Sequence, residues 1–312
     1  MSFNIDLPDL DNYRNAFIAN GVTYPLKTVE SKKAGLLGAL PAVNNKNGWP
    51  WDEEFDPSLY ISKDNWPKLT IVVPSYNQTS FLEQTIRAIL LQNYPNLELI
   101  IIDGGSNDGS VEIIKRYEKW ISFWQSKTDR GQGHAINLGF SLASGSYYAW
   151  INSDDYYLKG TFFKIIERFI NKSPAFVYGY VLDFVVKDLR FNPLNRLLPV
   201  KDYFLRLPTL AQPACFWSAT IHQPIWEELN CSLDYELWLR LIIGVKKNII
   251  KEALAVANIH ADAKTSDLKM KAKWDEDHKL ICSPDAHGNV NNWNTVILLH
   301  RIRLKIHRLF RL

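Results

Sequence analysis

Apolar runs and amphipathic stretches alternate along the middle of the chain. Residues 69–73 form a largely apolar run that ends at Pro74, and residues 97–102 form a second one. Each has the length of a buried strand, and the stretch between them carries apolar side chains at helical spacing. The same alternation predicts further strands at 121–124, 146–151 and 175–181, and further helices at 111–117, 133–143 and 161–170. Strands and helices that alternate at this interval predict an α/β domain with a mostly parallel sheet flanked by helices.

The segments on either side of this alternation are less regular. Residues 1–67 contain several prolines and tryptophans, which predict an irregular but ordered arm that packs on the core. In the second half we expect a loop at 184–199, a strand at 212–217, a helix at 233–243 and a strand at 253–259. We therefore divide the chain into four parts, which are an arm (1–67), a first half-domain (68–183), a second half-domain (184–285) and a C-terminal helix (286–312).

The C-terminal segment differs from the rest of the chain in its charge. The net charge of the chain is +3, yet no acidic residue follows Asp285; without the five basic residues beyond that point, the remainder carries −2. The body of the chain is therefore not expected to bind nucleic acid. Apolar side chains of the segment share about a third of a helical wheel, and basic side chains occupy the rest. The apolar side chains are Leu298, Leu299, Ile302, Ile306, Leu309 and Phe310. The basic side chains are Arg301, Arg303, Lys305, Arg308 and Arg311.

Two interpretations of this amphipathic helix stay open. Residues 293–312 fit a helix that lies on an anionic membrane surface, or a terminal helix that packs on the body or on a second subunit. No apolar run of the sequence approaches the ~20 residues of a membrane span. Three cysteines without metal-site spacing, and an N-terminus without a signal-peptide pattern, favour a cytoplasmic protein. The membrane interpretation of the helix would add peripheral contact with the inner face of the membrane.

The candidate chemistry begins with two adjacent carboxylates, Asp154 and Asp155, which follow the predicted strand at 146–151. Adjacent carboxylates at the mouth of a buried strand repel each other unless a cation or hydrogen-bond donors lie there. Oxygen ligands in such a position suit Mg²⁺ or Mn²⁺, and these ions commonly bind together with phosphates. The alternative is a solvated turn that caps the next helix.

Polar features also follow two other predicted strands. Pro74 and Tyr76 lie at the end of the first strand, and Asp103 lies at the end of the second. In a parallel, doubly wound sheet, ligands bind beyond the carboxyl ends of the strands. Three such features at one edge predict a ligand crevice there, and they weigh against the simple turn for Asp154 and Asp155.

Five segments stand in a characteristic order along the chain: IVVPSYN (71–77), IDGGSNDG (102–109), DRGQGHAINLG (129–139), NSDD (152–155) and DYELWLR (234–240). Each alone is a weak signal, but the ordered set is specific. Together they resemble the family 2 inverting glycosyltransferases of GT-A fold, over roughly residues 68–262. The resemblance implies a GT-A (Rossmann-like) fold and a donor that is a nucleotide-diphosphate sugar, with a UDP-sugar as the first expectation.

By this resemblance the donor lies across the strand ends. Pro74 and Tyr76 would border the base, with Asp103 close by. Asp154 would reach the ribose. Arg130 would pair with a phosphate or with the base, and for this residue a surface ion pair is an equal alternative.

The resemblance also implies a metal ion and a catalytic base. Asp155, together with His260, would hold Mn²⁺ or Mg²⁺ against the diphosphate, although a lone histidine at a strand end is more often structural. Asp234 would take the proton of the acceptor hydroxyl, and its alternative is a helix-capping acid. The chain departs from the family pattern at Gly104, where many relatives carry an Asp that contacts uracil, and at Asn152, where the fuller pattern has another Asp.

The favoured function is therefore a metal-dependent, inverting glycosyltransferase that acts on a glycan or a lipid-linked acceptor, in surface polysaccharide or glycoconjugate synthesis. A non-catalytic scaffold that binds nucleotide-sugars on the same fold is the main alternative, because fold does not fix function. A sugar nucleotidyltransferase is a third hypothesis. It would need a glycine-rich, basic phosphate loop after the first strand, and residues 74–79 lack both features.

Overall fold

The structure is a computed structural model that describes residues 5–29, 34–61, 65–202, 210–261, 263, 270–283 and 293–310. Within these residues the strands are β1 (Leu69–Ser75), β2 (Leu97–Asp103), β3 (Phe123–Ser126), β4 (Tyr147–Trp150), β5 (Tyr156–Tyr157), β6 (Phe176–Val185), β7 (Arg190–Phe191), β8 (Cys215–Ser218) and β9 (Lys247–Ile259). The helices are α1 (Leu10–Ala19), α2 (Leu82–Leu90), α3 (Ser110–Tyr117), α4 (Gln132–Ser141), α5 (Thr161–Lys172), α6 (Leu233–Leu241), α7 (Met270–Ile281) and α8 (Trp293–Phe310).

These strands form one sheet with a parallel block and a mixed block. The parallel block has the order β3-β2-β1-β4. Beyond it, β8 runs antiparallel to β4 and to β6, and β9 pairs in parallel with β6 and antiparallel with the short β5. The predicted α/β fold is confirmed, and the mixed half is a feature that the local pattern did not reveal. Periodicity along the chain predicts strands, but it carries no information that β8 inserts between β4 and β6.

Several element boundaries differ from the predictions. The expected border between residues 183 and 184 falls inside β6, and the expected loop at 184–199 contains the short β7, which pairs with β6. The outer part of β6 is only partly buried, and Asp183 interrupts the apolar run on which the strand prediction rested. The arm was expected to be irregular, yet it contains α1, whose start is marked by Asp9 accepting a hydrogen bond from the Asp11 amide at 2.9 Å.

The parallel block is covered by helices on both faces. Ile71 and Val73 of β1 belong to the core beneath α2, α3 and α5, whereas Val72 points to the opposite core beneath α4 and α6. On that second face α4 lies directly on β1, because a Cβ atom at Gly139 would come within 2.4 Å of Val72 Cγ1. This close approach brings the start of α4, and the loop before it, to the carboxyl ends of the strands.

The arm is held on the core by a buried arginine. Arg87 of α2 is 2% exposed, and its guanidinium donates to the backbone carbonyls of Pro41 and Pro50 at 3.0 Å and of Trp51 at 2.8 Å. Hydrogen bonds from a charged donor each contribute roughly 1.5–3 kcal/mol. These bonds satisfy the buried charge and fix the arm across α2.

The helix that was predicted at the C-terminus is confirmed as α8. Val296 is buried and Arg303 donates to the Pro199 carbonyl, so one side of the helix contacts the body. The predicted apolar row is exposed at Leu298, Leu299, Ile302, Ile306 and Leu309. Arg311 and the side chains of Trp293, Arg308 and Phe310 lie outside the described residues. In the described part of the chain, no helix combines the length and the apolar character that crossing a bilayer requires.

Candidate active site

The turn after β4 carries the two adjacent carboxylates, and neighbouring elements fix its backbone. Thr85 Oγ1 of α2 lies 2.9 Å from the carbonyl oxygen of Ser153 and 2.7 Å from that of Asp155. Asn258 Nδ2 of β9 donates to the Asp154 carbonyl at 2.5 Å. The turn is therefore held between α2 and β9, which gives the two carboxylates defined positions.

Asp154 and His260 form a pair at the open side of this turn. His260 follows β9, and its Nε2 lies 3.2 Å from Asp154 Oδ2. The Phe81 ring packs against the imidazole with a centroid separation of 4.6 Å and fixes its plane. The Asp154 side chain keeps 19% of its surface exposed and the His260 side chain 8%, so the pair reaches solvent through Asp154.

Asp155 lies behind this pair in a different environment. It is 7% exposed, and its Oδ1 accepts a hydrogen bond from the Asn258 amide at 3.1 Å. Burial raises the pKa of Asp155 well above its ordinary value, and the neighbouring charges of Asp154 and Asp183 raise it further. Of the two adjacent carboxylates, Asp154 is thus the more accessible and Asp155 the more enclosed.

The side chains at this turn supply only part of the ligand set of a divalent cation. No cluster of three or more His, Cys, Asp and Glu side chains suited to a metal occurs among the residues that the structure describes. Asn152 adds no charge because its side chain is a neutral amide. Its amide oxygen accepts from Gln132 Nε2 at 2.7 Å, which ties the start of α4 to the turn. One or two carboxylates with a histidine suit Mn²⁺ or Mg²⁺ when substrate phosphates supply further oxygens.

Asp103, at the end of β2, is fully buried and saturated with hydrogen bonds. Its Oδ2 accepts from the amides of Gly105 at 3.1 Å and Ser106 at 2.8 Å, and from Ser126 Oγ at 2.7 Å. Its Oδ1 accepts from Ser106 Oγ at 2.5 Å. The carboxylate therefore shapes the loop after β2, and any influence on a ligand passes through that loop.

Tyr76, Gly104 and Asp129 meet beside this loop. Pro74 lies in β1, and two residues later the Tyr76 side chain is 62% exposed. A Cβ atom at Gly104 would lie 3.3 Å from Tyr76 Cδ2 and 3.1 Å from Asp129 Oδ2. The absent side chain thus lets the Tyr76 ring and the Asp129 carboxylate close over the loop and border one shallow surface.

Arg130 forms the surface ion pair that was the alternative to donor binding. Its guanidinium Nη2 lies 2.6 Å from Glu227 Oε2 and 2.6 Å from the Tyr13 hydroxyl of α1. Asn137 of α4 donates to the other oxygen of Glu227 at 2.9 Å. Glu227 was not singled out in the sequence, because it is close to Arg130 only in the folded chain.

Asp234 lies at the same edge of the sheet as the Asp154 turn. It is the second residue of α6, and Trp238, one turn later, stacks on Trp150 at the end of β4 with centroids 5.6 Å apart. Burial raises the pKa of Asp234, while hydrogen bonds from backbone amides at the helix start oppose the shift. Burial also raises the pKa of Cys215, and the negative charge of Asp234 adds to it, so the two side chains are neighbours.

No sequence signal pointed to the carboxylate that supports the start of α6. Asp277 of α7 is fully buried and accepts hydrogen bonds from three consecutive amides, those of Asn230, Cys231 and Ser232. In the sequence Asp277 stands in a charged helix beside exposed acids, so no local pattern distinguishes it.

Comparison with known proteins adds an independent finding. The family model described as Glycosyl transferase family 2 matches residues 70–227, which is half of the chain. An uncharacterised glycosyltransferase of Rickettsia typhi is 26% identical over 215 residues, which cover 64% of this chain and 66% of that protein. A putative teichuronic acid biosynthesis glycosyltransferase of Bacillus subtilis, TuaG, is 35% identical over 123 residues, which cover 38% of this chain and 49% of that protein. The chain thus spans about half to two thirds of the length of these relatives.

Two solved structures resemble the fold. A crystal structure of S. aureus TarS 1-349 in complex with UDP-GlcNAc aligns with a TM-score of 0.53 and 16% identity, covering 69% of this chain and 67% of that chain. A mannosyltransferase from Pyrobaculum calidifontis in complex with GDP-Man and Mn²⁺ aligns with a TM-score of 0.50 and 15% identity, covering 82% and 70%. At these identities the likeness concerns the fold alone, and it confirms the expected GT-A architecture.

Proposed function

Since the chain belongs to glycosyl transferase family 2, we propose that it moves a sugar from a nucleotide-diphosphate donor to a hydroxyl of a glycan or lipid-linked acceptor, with inversion and with a divalent cation. The observation that carries this proposal is that Asp154, His260 and Asp234 share one edge of the sheet. A cation-binding pair and a partly buried carboxylate at one edge of the sheet are what a direct displacement needs. The relative named for teichuronic acid biosynthesis supports surface polysaccharide as the product class.

The donor base would lie on the exposed ring of Tyr76, beside Pro74 and above Gly104. The loop that borders this surface takes its shape from the bonds to Asp103. Arg130 has no donor contact in this proposal, because its guanidinium already pairs with Glu227 and with Tyr13.

For the cation, the geometry supports Asp154 and His260 over the assignment to Asp155 that the family resemblance implied. The first two side chains lie 3.2 Å apart at the open side of the turn. Asp155 is enclosed and already accepts a backbone hydrogen bond from Asn258. When bound, a divalent cation supplies positive charge beside the diphosphate, which stabilises the negative charge that develops on the leaving group.

Asp234 would act as the base. The acceptor oxygen attacks the anomeric carbon and forms the new C–O bond, while the proton of the acceptor hydroxyl passes to the Asp234 carboxylate. At the same time the bond between the anomeric carbon and the oxygen of the donor phosphate breaks. The nucleoside diphosphate leaves with the bonding pair, and the single displacement inverts the anomeric carbon. The raised pKa of Asp234 brings the carboxylate closer to the pKa range in which a general base is effective.

The first test of the donor site is thermal stability in the presence of UDP, dTDP, GDP and CDP, each with and without Mn²⁺. One nucleotide should raise the Tm by a few degrees and only with the metal, because ligand at about 100 times its Kd stabilises by about 2.7 kcal/mol. The matching nucleoside monophosphate is the control, since it lacks the diphosphate that completes the site. Absence of a metal-dependent shift for all four diphosphates would contradict the donor site, and a shift without sugar transfer would favour the non-catalytic scaffold.

The exposed row of α8 supports contact with an anionic membrane surface, where a lipid-linked acceptor would lie. Leu298, Ile302 and Ile306 are exposed together, and Arg301 and Lys305 are exposed between them. Two copies of so basic a helix would repel each other, whereas anionic headgroups would attract it. This charge favours a membrane over a second subunit as the partner of the row.

We expect the full chain to float with phosphatidylglycerol vesicles and not with phosphatidylcholine vesicles, and to dissociate as salt rises. The double variant Ile302→Asp/Ile306→Asp should bind the vesicles at least about tenfold more weakly, because it places negative charge on the helix face that would insert into the membrane. Leu189→Asp, which alters an exposed leucine outside α8, is the matched control. Equal flotation of the double variant and the wild type would exclude this row as the membrane contact.

A further inference from the structure

A buried carboxylate from the C-terminal part of the chain holds the backbone directly before Asp234. Asp277 Oδ2 accepts from the amides of Cys231 at 2.6 Å and Ser232 at 2.8 Å, and both of its oxygens accept from the Asn230 amide, at 3.0 and 3.1 Å. Asp277 is 0% exposed. Only Leu233 separates this anchored segment from Asp234.

The anchor replaces the cap that the sequence offers. Ser232 is the N-cap residue of α6, but its hydroxyl makes no capping bond and has no hydrogen-bond partner among the described residues. A carboxylate without solvent is costly unless donors surround it, and here three consecutive amides supply them. An uncharged side chain at 277 would leave some of these buried amides unsatisfied, at about 1–3 kcal/mol for each.

The position of the carboxylate is itself fixed by packing of α7 against α6. Ile281, one turn after Asp277, is fully buried in the same core as Leu237 of α6. On the adjoining side, the His278 ring lies 5.9 Å from the Tyr235 ring, the residue after Asp234. Asp277 is therefore a rigid support for the segment before α6.

We infer that Asp277 is a positioning residue, which sets the place of the Asp234 carboxylate in the crevice through the Asn230–Ser232 backbone. The inference rests on the proposed role of Asp234 as the base. Residues 230–232 and Asp277 all lie after the end of the family match at 227, so the family match does not include this support. Misplacing a catalytic group by about 1 Å costs up to about 100-fold in rate.

The test compares Asp277→Asn with Asp275→Asn, an exposed acid on the same helix. An amide at 277 keeps the size of the side chain but turns two donors towards the backbone amides. With UDP-GlcNAc and GDP-Man as probe donors, kcat for nucleotide release should fall about 10–100-fold in Asp277→Asn, while the KM for the donor stays within about twofold. Asp275→Asn should match the wild type. An Asp277→Asn protein that binds nucleotide and keeps full kcat would overturn the inference.

Hydrogen–deuterium exchange provides a second measurement that does not depend on activity. The amides of Asn230, Cys231 and Ser232 should exchange at least about tenfold faster in Asp277→Asn than in Asp275→Asn, because they lose a buried acceptor. Exchange in β1 and β2 should stay unchanged. Equal exchange at residues 230–232 would refute the anchor, even if neither probe donor is turned over. With the exchange difference intact, a wild type that shows no metal-dependent thermal shift with any of the four nucleoside diphosphates would instead contradict the proposed function.

Discussion

Replacing Asp234 with asparagine is expected to lower kcat for sugar transfer by about 10²–10⁴-fold and to leave the affinity for the donor nucleotide nearly unchanged. Asparagine keeps the shape of the side chain and an oxygen that can accept from the backbone at the start of α6, but it cannot take a proton. The measurement is steady-state transfer with the donor that the thermal series identifies, together with nucleotide binding. Glu228→Gln is the matched control, because Glu228 is an exposed acid shortly before the same helix.

The pH dependence gives the same prediction a second readout. Only ionised Asp234 is a base, and burial raises its pKa, so kcat should rise with pH through a value above the ~3.9 of an ordinary aspartate. The effect of rising pH on the folding stability has the opposite sign. A folded-state pKa above the unfolded one favours the protonated folded form, so this residue's contribution falls as pH rises from ~3.9 to the raised pKa. Asp234→Asn should therefore be at least as stable as the wild type at neutral pH, and its acid limb in kcat should be absent.

Full activity in Asp234→Asn would remove Asp234 from the role of base. Loss of activity accompanied by a lower Tm and weaker nucleotide binding would also contradict the prediction, because it would indicate a structural role at the start of α6. Only loss of kcat in a stable protein that still binds the nucleotide agrees with proton transfer.

The second large effect is expected for Asp154 and His260, the two residues proposed to bind the cation. Asp154→Asn and His260→Ala should each weaken metal-dependent binding of the nucleoside diphosphate by at least about 100-fold, because even groups that only orient a metal ligand are worth about 10–100-fold. The measurement is the Mn²⁺-dependent part of the thermal shift.

Asp155→Asn is the informative comparison for this pair. Its side chain is enclosed and already bonded to the Asn258 amide, so we expect a loss of less than about tenfold in the metal-dependent part of binding. The two variants differ by one position in the same turn and remove the same charge. If Asp155→Asn caused the larger loss, the cation would belong to Asp155, as the family resemblance implies.

Much of the crevice could be predicted from the sequence, because polar residues that follow buried strands converge when the strands are parallel. Tyr76, Asp103 and the Asp154 turn follow β1, β2 and β4, which are neighbours in the sheet. Their placement at one edge therefore needed only the strand assignments. The role of each side chain there was not predictable, since the Asp103 carboxylate is fully occupied by hydrogen bonds within its own loop and Asp155 is enclosed and bonded to the Asn258 amide.

Arg130 shows the limit of motif reasoning. The motif left a donor contact and a surface ion pair equally open for Arg130, and the structure shows the partners of its guanidinium to be Glu227 and Tyr13. These partners are far from Arg130 along the chain, and Tyr13 comes from a helix that the sequence pattern did not reveal.

The sequence by itself determined the alternating elements, the strand ends that carry polar residues and the family, because these depend on local periodicity and on motif order. The tertiary structure alone decided the insertion of β8 between β4 and β6, the pairing of Asp154 with His260, and the support of the Asp234 helix by Asp277. The physical reason is the same in all three cases. A buried polar group needs a partner, and the fold supplies that partner from wherever the chain returns, at a sequence distance that no local pattern encodes.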